Sequence, residues 1–550
     1  MSKNLSELSS RKGLSKNLFE EYGNLAKATG TPDLEALEKL REEFLIGKAT
    51  AYGAVSFYDF LKPANKNKKV YVCNGSACML SNTQDKVKEK LTSHYADDEI
   101  GEMCCLGRCH ENSAFNIDRK NYSGNDIDFI DEIKAGKTKT KETYNVDSLG
   151  TPILTSDYGD VEEFYKIFTE CLTRTPDELL LELRYSGLRG RGGAGFPIAF
   201  KFESCKNTED DTKFIVSNAD EGDPGAYSDR YIMEQRPHNM LMGMMISGYI
   251  IGAKHGVVYI RGEYPESIEI VGEAIDHLRS LGLLGENIQG TGFDFDFKVI
   301  SAQGAYVCGE ETALLSSIEG QRPEVRVRPP YPTQKGLFNK PTVVNNVETL
   351  ANIPFIMKHG GKAYGEIGTP KSTGTKLISL DSHFNKPGIY EVNMGTRLTK
   401  VIEDLGGGFR TPVKAMHIGG PLGGLVPISL IERLSIDYDS FMKLGFLLGH
   451  ASIVCIPEDY PMIDYVEHLF EFVAHESCGK CFPCRIGSTR GYELIAKAKN
   501  EDYKIDQELM SDLLDTLQTG SLCALGGGLP LPVRNAMQYF NSELADYFNK

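Results

Sequence analysis

Two sets of cysteines carry the clearest chemistry in this chain of 550 residues. Near the C-terminus, Cys478, Cys481 and Cys484 follow one another at intervals of three residues, and Cys523 stands further on. Three thiolates on one tight loop, completed by a distant fourth, are typical of a [4Fe–4S] centre. A structural zinc site also takes four cysteines, but it usually splits them into two CxxC pairs. The spacing therefore favours an iron–sulfur site over zinc.

A second set of four cysteines lies in the first quarter of the sequence. Cys73 and Cys78 bracket four residues, and Cys105 and Cys109 bracket three. Two pairs on two loops can ligate both irons of a [2Fe–2S] cluster, although four cysteines alone do not exclude zinc. Cys104 is predicted to be a spare beside this set. The isolated cysteines are predicted to be ordinary buried residues: Cys171, Cys205, Cys308 and Cys455.

A glycine-rich segment, 187–196, contains a formal G-x-G-x-x-G pattern. The residues ahead of it, 175–184, read as a helix, whereas a dinucleotide-binding fingerprint should follow a strand. The segment therefore does not predict a Rossmann loop. Its glycines still allow main-chain N–H groups to reach an anionic or planar ligand, and Arg189 and Arg191 add positive charge. A flexible surface loop is the alternative.

Two acidic segments share that chemistry. Segment 218–225 places three carboxylates within four residues, and segment 304–312 places an acidic pair after a glycine. Carboxylates near a sugar typically accept hydrogen bonds from ribose or ribityl hydroxyls. The alternative for either segment is a solvated acidic turn.

Size and composition limit the possible classes of protein. The length exceeds one hydrophobic core and predicts three or four domains, and 41% hydrophobic with 25% charged residues is typical of a soluble globular protein. The net charge of −16 argues against a nucleic-acid partner. The longest apolar stretch, 240–253, is too short for a bilayer and predicts a buried helix. No secretory signal is apparent, so the cysteines point to metal ligation in a reducing compartment, and a cytoplasmic location is expected.

Composition and turn signals divide the chain into five predicted units. Leu34, Leu37, Leu40 and Phe44 recur at helical spacing in the first unit, and the polar stretch 134–141 marks a boundary. The predicted units are a helical lead-in (1–65), a small α/β unit (66–140), a large block with the glycine-rich and acidic loops (150–365), a small β-rich unit (366–435) and a helical unit with the C-terminal cysteines (436–550).

Taken together, these segments resemble the NADH-binding flavoprotein subunit of respiratory complex I. The matching stretches are 187–196, 218–225, 229–233, 304–312, 340–349 and 476–485. Residues 1 to about 135 resemble, more loosely, the thioredoxin-like [2Fe–2S] subunit of the same complex. A single chain that carries both parts resembles the diaphorase subunits of soluble NAD-reducing hydrogenases and NAD-dependent formate dehydrogenases, and related bifurcating flavoproteins.

The resemblance implies an α/β multidomain chain. Its parts would be a thioredoxin-like [2Fe–2S] domain, an FMN- and NAD(H)-binding α/β domain, a small β-grasp-like domain of the SLBB type and a C-terminal helical bundle with the [4Fe–4S] cluster. The implied activity is NADH:acceptor oxidoreduction, with hydride exchange between NAD(H) and FMN and single-electron relay through the clusters. No side chain is expected to be catalytic. The implied partners are iron–sulfur and catalytic subunits of a larger redox complex, without direct membrane insertion.

The resemblance also assigns residues to each group. The FMN-binding residues would be Gly190, Arg191, Gly192, Gly193, Asn218, Asp220, Glu221, Gly309, Glu310, Asn345, Asn346 and Thr349. The NAD(H)-binding residues would be Phe196, Lys201, Asp223, Tyr306, Glu311 and Tyr331. Asp223 would lie on the nicotinamide side, where complex I proteins commonly carry glutamate, and this departure favours a soluble partner. Arg328, near the presumed adenine side, leaves NADP open.

Two other functions remain open at this stage. A flavin-based bifurcating module would divide electrons between two acceptors of unlike potential, and NADH oxidation would then require both acceptors together. A zinc-binding assembly scaffold would have no catalysis, and its colourless metal would distinguish it from flavin and iron–sulfur chromophores.

Overall fold

A computed structural model describes residues 13–136 and 143–549. The start of the predicted helical lead-in, residues 1–12, lies outside these ranges. The same holds for residues 137–142, which include most of the predicted boundary at 134–141.

The described part begins with three short helices, Leu18–Thr29, Leu34–Phe44 and Lys48–Val55. The first two start at an asparagine and an aspartate whose side-chain oxygens accept hydrogen bonds from first-turn N–H groups. On the predicted apolar face, Leu37, Leu40 and Phe44 are buried, but Leu34 is 79% exposed. Leu34 is the first residue of its helix, so it precedes the turn that packs against the core.

The small α/β unit contains a four-stranded sheet. Across the sheet, the strands are Ile100–Met103, Val70–Cys73, Phe115–Ile117 and Lys120–Tyr122. The first two run parallel, and the others pair antiparallel. Because parallel neighbours end at the same edge, the cysteine loops that follow them come together. The helices are Ser76–Leu80, Gln84–Thr92 and Ile130–Lys134.

The central unit is built on four parallel strands. Phe214–Ala219 lies between His255–Ile260 and Thr342–Asn346, and Asp296–Ser301 forms one edge. Such a sheet requires helical crossovers on its faces. Helix Pro237–Ile251 is buried on nearly all sides, which confirms the predicted buried helix. The other helices are Val161–Cys171, Pro176–Ser186, Ile198–Asn207, Ser228–Gln235, Pro265–Ser280, Glu311–Ile318, Pro332–Lys335, Val347–Ala351, Ile353–His359 and Gly361–Gly365.

A six-stranded mixed sheet forms the next unit. Across the sheet, the strands are Gly424–Pro427, Val413–Ile418, Ser452–Pro457, Thr375–Leu380, Gly388–Asn393 and Asn145–Leu149. The sheet therefore extends beyond the predicted range 366–435 at both ends. Ser452–Pro457 is a short buried apolar run, and periodicity alone cannot separate such a run from a helix. Asn145–Leu149 is an edge strand with little apolar pattern. The helical segments are Leu398–Lys400, Val401–Leu405 and Tyr438–Lys443.

The C-terminal unit is helical, as predicted, after that strand. Its helices are Met462–Glu476, Phe482–Asn500, Gln507–Gly520, Ala524–Gly528, Pro530–Tyr539 and Asn541–Leu544. Two short strands, Ile505–Asp506 and Phe548–Asn549, pair in parallel. One hydrophobic core continues from the N-terminal helices through the central unit into this bundle, and it includes one face of the six-stranded sheet. The other face of that sheet packs in a separate core. Within the described ranges, no helix combines the length and the apolar character needed to cross a bilayer.

Candidate functional site

The candidate site, here named the crevice, lies just beyond the carboxyl ends of two parallel strands, Phe214–Ala219 and Thr342–Asn346. These strands are neighbours in the sheet but not in the sequence. After Phe214–Ala219 the chain forms His255–Ile260 and Asp296–Ser301 on one side of it, and only then Thr342–Asn346 on the other side. Open parallel sheets bind ligands at such a switch point, just beyond the carboxyl ends of the strands. The predicted residues 218–223 and Asn345 and Asn346 lie at this place because they end or follow these two strands.

The glycine-rich loop closes over one side of the crevice. It follows a helix, as predicted, and that helix ends at the left-handed Gly187. The base of the loop is joined by the bond from the Gly190 N–H to the Phe196 carbonyl, 2.8 Å. A Cβ on Gly192 would lie 2.9 Å from the Cβ of Asn346, so glycine allows the loop to approach the strand. Arg189 does not offer a free charge here: its guanidinium stacks on Tyr438 at 4.2 Å and donates to a loop carbonyl.

Buried donors without partners mark a place for a bound group. Arg191 is fully buried, and its Nη2 donates to the Tyr364 hydroxyl at 3.1 Å and the Thr373 carbonyl at 2.5 Å. Its Nε and Nη1, and the Nδ2 of buried Asn345, have no partner among the described residues. An unsatisfied buried donor costs about 1–3 kcal/mol. The site thus fits a ligand rich in acceptor atoms, as FMN is.

The first acidic segment combines structural and ligand-facing carboxylates. The Asn218 side chain donates to the Gly309 carbonyl at 2.7 Å, which joins the two acidic segments. Glu221 accepts from the Ser228 hydroxyl and from two backbone N–H groups at the start of helix Ser228–Gln235. Glu221 therefore caps a helix. Asp220 is only half-buried by its neighbours, yet desolvation raises the pKa of its carboxyl well above the usual range.

The second acidic pair is compensated by two cations. The Glu310 carboxylate accepts from two backbone N–H groups of helix Glu311–Ile318, each at 2.9 Å. Lys201 donates to Glu311 at 2.9 Å, and Arg328 bonds both glutamates, with a distance of 3.1 Å to Glu311. The charges of the pair are balanced, so both side chains can lie beside the crevice. The alternative of a merely solvated acidic turn does not describe this arrangement.

Aromatic rings stand around the crevice. Phe196 is 50% exposed and Tyr331 is 53% exposed, so each ring has surface free to stack on a planar ligand. The Tyr306 hydroxyl donates to the Asp223 carboxylate at 2.5 Å, and the other oxygen of that carboxylate lies 2.6 Å from His450 Nε2. His450 was not found by sequence reasoning, because more than two hundred residues separate it from Asp223 and no local pattern distinguishes a lone histidine.

The four N-terminal thiols meet because two parallel strands end side by side. Cys73 closes one strand, and Cys105 follows the end of its neighbour. The sulfurs of Cys105 and Cys109 lie 3.4 Å apart, and the Cys73 thiol is within hydrogen-bonding reach of Cys105 and Cys78. All four are buried. The structure therefore brings together the predicted set.

The four C-terminal thiols meet at helix starts. Cys481 directly precedes the long helix that carries Cys484 in its first turn, and Cys523 precedes a short helix. Burial, together with nearby thiols such as Cys478, raises the pKa of Cys484 to about 11 and that of Cys523 to about 12. Neighbouring thiols with such high pKa values suit a metal group that takes the place of their protons.

The two sets fit multi-iron groups better than zinc. A zinc site would need four ligands converging on one centre at about 2.0–2.3 Å, whereas a cluster spreads its ligands over several irons. Cys104 lies beside Gly75, since a Cβ on Gly75 would be 3.4 Å from the Cys104 sulfur. That Cys104 is a spare stays a prediction.

Both thiol sets adjoin the crevice. The Gly225 N–H, at the end of the first acidic segment, donates to the Cys109 sulfur at 3.2 Å. On the other side, the Tyr306 N–H donates to the Glu476 carboxylate at 2.9 Å, and Glu476 stands two residues before Cys478. Burial raises the pKa of Glu476 to about 8. One crevice is thus in hydrogen-bonded contact with the loops of both sets.

Three family models match the chain. Residues 183–355 match the Nuo51 FMN-binding domain, residues 464–547 match the NADH-ubiquinone oxidoreductase-F iron-sulfur binding region, and residues 24–136 match the thioredoxin-like [2Fe-2S] ferredoxin. The predicted cofactors FMN, [2Fe–2S] and [4Fe–4S] and the multidomain α/β class are thereby confirmed.

Relatives of known type cover most of the chain. The NADP-reducing hydrogenase subunit HndC of Solidesulfovibrio fructosivorans is 43% identical over 382 residues, 69% of this chain and 78% of that protein. An F-type subunit of the NADH-quinone oxidoreductase of Rhizobium meliloti is 39% identical over 379 residues, 68% of this chain and 90% of that protein. A crystal structure of an NAD+-reducing [NiFe]-hydrogenase in the air-oxidized state matches with a TM-score of 0.85 and 27% identity, and covers 98% of this chain and 95% of that one.

These matches follow the same order along the chain as the thiol sets and the crevice. The chain belongs to the family of NADH-quinone oxidoreductase F subunits and their hydrogenase relatives, in a form that also carries the thioredoxin-like [2Fe–2S] ferredoxin domain.

Proposed function

We propose that this chain is the NAD(H)-oxidising and NAD(H)-reducing subunit of a larger redox complex, and that it passes electrons to or from a partner catalytic subunit. The observation that carries the proposal is the contact of one crevice with both thiol sets, through Gly225 to Cys109 and through Tyr306 to Glu476. A group in that crevice would lie beside two electron carriers. Relatives are named as subunits of a hydrogenase and of a quinone oxidoreductase, which supports such a partner.

Hydride acceptance from NADH and release of single electrons are chemistry that FMN supplies when bound, and that side chains do not. The role of the protein is to hold and orient. The N–H groups at Gly192 and Gly193 and the free donors of Arg191 and Asn345 would bind the acceptor-rich group, and Gly190 would contact it at the base of the loop. The remaining proposed contacts are Asn218, Asp220, Glu221, Gly309, Glu310, Asn346 and Thr349.

For the dinucleotide, we propose NAD(H) and not NADP(H). Phe196 and Tyr331 would stack on it, and Lys201, Tyr306, Asp223 and Glu311 would line its path. The guanidinium of Arg328 is already bonded to Glu310 and Glu311, so its charge is not available for a 2′-phosphate.

The proposed domain limits follow the prediction, with one amendment. The helical lead-in, the [2Fe–2S] domain, the flavin domain, the small β domain and the [4Fe–4S] domain keep their order. The strands Asn145–Leu149 and Ser452–Pro457 are assigned to the small β domain, because they pair with its strands. We propose a cytoplasmic location, since thirteen cysteines that serve as ligands or free thiols suit a reducing compartment.

The full chain, purified anaerobically, tests the proposal. We expect iron and acid-labile sulfide for two clusters, one FMN, and bleaching of the flavin absorption by NADH. Asn345→Ser removes one of the unpaired donors and should lower the retained FMN several-fold. The matched control is Asn385→Ser, an exposed asparagine that bonds only a neighbouring loop carbonyl, and it should retain FMN as the parent does.

A chain that holds zinc in place of iron, or that keeps FMN without any response to NADH, would contradict the proposal. Equal FMN loss in Asn345→Ser and Asn385→Ser would contradict only the assignment of the FMN site to the crevice, and not the proposed function.

A further inference from the structure

A carboxylate shared by two partners lies at the edge of the crevice. Asp223 accepts from the Tyr306 hydroxyl on one oxygen and faces His450 Nε2 on the other. The side chains of Asp223 and His450 are 21% and 11% exposed, so the pair is largely removed from water without being closed off. Tyr306 also bonds Glu476 through its backbone, which fixes its position.

His450 stands under opposing influences. Burial disfavours the charged imidazole, but the Asp223 carboxylate outweighs burial, and the pKa of His450 is raised above its ordinary value. On the other ring nitrogen, Nδ1 accepts from the Ser452 N–H at 3.3 Å, which favours the neutral ring. The balance favours the protonated ring, and the proton is lost as the pH rises through the raised pKa of His450.

Other titratable and charged groups also face the Asp223–His450 pair. Glu221 raises and Lys376 lowers the pKa of His450. Around Asp223, the buried cation Arg261 and the imidazole of His417 face the carboxylate, together with Tyr306. Burial lowers the pKa of His417 to about 4, so that ring stays neutral near pH 7. Among these groups, His450 is the one in direct contact with Asp223 that can change charge.

We propose that the ion pair of Asp223 and His450 sets the relative affinity of the crevice for oxidised over reduced dinucleotide, an inference that rests on the proposed function. The oxidised nicotinamide ring carries a positive charge, and the reduced ring carries none. With His450 protonated, the pair is neutral and treats both rings alike. With His450 neutral, the pair has a net charge of −1 and favours the cationic ring. The proton on His450 therefore shifts the balance between substrate and product.

Equilibrium binding to the FMN-loaded full chain measures this preference directly. The probes are NAD+ and tetrahydro-NAD, whose uncharged ring cannot release hydride, followed by quenching of flavin fluorescence. His450→Gln fixes the net charge of the pair at −1. Below the pKa of His450, it should raise the preference for NAD+ roughly tenfold over the parent, the order expected for one added charge in a half-buried crevice.

Charge and structure are separated by a second variant. The double variant His450→Gln/Asp223→Asn restores a neutral pair, so its preference should return to that of the protonated parent. His255→Gln, an exposed histidine at the opposite end of a parallel strand, is the matched control.

The pH profile gives an independent readout. In the parent, the preference for NAD+ should rise as the pH passes upward through the raised pKa of His450, and His450→Gln should give a flat profile that the parent joins at alkaline pH. A parent profile without this step, or a double variant that keeps the preference of His450→Gln, would overturn the inference. Failure to bind either probe would instead contradict the proposed function.

Discussion

The two thiol sets sit in different surroundings. The N-terminal four are buried, and two of their sulfurs accept hydrogen bonds from backbone N–H groups, one of them supplied by Gly225 of the flavin domain. In the C-terminal set, Cys481 and Cys523 are only partly buried. Their chain neighbours Phe482 and Leu522 are 67% and 44% exposed.

The difference separates an enclosed site from an accessible one. Electrons leave a protein most readily from a carrier near its surface, and exposed apolar side chains around such a carrier suit a partner. The C-terminal set therefore fits the relay to the partner subunit. The N-terminal set, held by bonds from another domain, fits a branch or a store. The two sets are therefore expected to respond unequally to matched changes.

Loss of one ligand should break the relay at one set and not at the other. Cys481→Ser should leave flavin reduction by NADH intact but reduce electron transfer to the natural partner by more than the roughly 10- to 100-fold that loss of an outer-sphere partner costs. Stopped-flow bleaching of the flavin and turnover of the partner measure the two steps.

The matched variant is Cys105→Ser, in the enclosed set. It should keep most of the partner turnover. Normal turnover in Cys481→Ser would refute the relay, and equal losses in both variants would refute the distinction between the sets.

A methyl group added at one glycine in each set should destabilise the enclosed set more. A Cβ on Gly107 would lie 2.5 Å from the Tyr264 ring, and its φ of +67° is left-handed, so Gly107→Ala should cost about 2–5 kcal/mol. In the other set, a Cβ on Gly526 would lie 2.7 Å from the Cβ of Cys484, and Gly526→Ala should cost about 1–3 kcal/mol.

Thermal melting and iron content measure both glycine variants. Gly527→Ala, with its nearest neighbour at 3.6 Å, is the control and should melt as the parent does. A larger loss for Gly526→Ala than for Gly107→Ala would contradict the comparison.

Acid should loosen the enclosed set first. His468 Nε2 lies 3.1 Å from the Ser76 hydroxyl, in the loop that carries Cys73 and Cys78, and burial lowers the pKa of His468 to about 4. In the unfolded chain the pKa is about 6.5, so between these values the unfolded state binds more protons. The stability that this histidine contributes is full above about pH 6.5 and is lost as the pH falls towards 4, by about 3 kcal/mol when complete.

His468→Gln should therefore flatten the fall in melting temperature between pH 7 and pH 4.5. The control is His94→Gln, whose partly exposed ring lies in the domain of the enclosed set, near Asp131. Parallel curves for the parent and His468→Gln would contradict this account.

Removal of one arginine beside each set should shift the cluster potentials unequally. Buried Arg230 donates to the Gly107 carbonyl at 2.7 Å, and the less buried Arg322 donates to the Cys478 carbonyl at 3.1 Å. A lost positive charge disfavours the reduced cluster. Arg230→Met should lower the potential of the N-terminal cluster by roughly 60 mV, a tenfold change for one electron. Arg322→Met should lower the other by less, because water screens it.

Redox titration followed by electron paramagnetic resonance distinguishes the two clusters in the same sample. A larger shift from Arg322→Met would mean that burial does not control the difference.

Local spacing made part of this site predictable. The cysteine sets and the glycine loop depend on residues close in sequence, where turn geometry places side chains within a few positions of each other. The Asp223–His450 pair could not be found in this way, since its members meet through the sheet topology. The anchoring of Arg191 in the core likewise depends on Tyr364 and Thr373, which are far along the chain.

Strand and helix assignments failed where the pattern was ambiguous. The short apolar run Ser452–Pro457 lies beside helical segments, and its place in the middle of a sheet comes from its pairing partners. The strand Asn145–Leu149 has little hydrophobic alternation and is held by backbone bonds to Gly388–Asn393. Such pairings cannot be read from periodicity.

The pairing of Asn145–Leu149 with Gly388–Asn393 has a consequence for synthesis on the ribosome. More than two hundred residues must be translated before the first of these strands meets its neighbour, which takes roughly 10–50 s at 5–20 residues per second. The whole flavin domain emerges during that delay, and it lies between the two strands in sequence when they pair. The nascent chain therefore carries a waiting, unpaired segment that chaperones have time to bind.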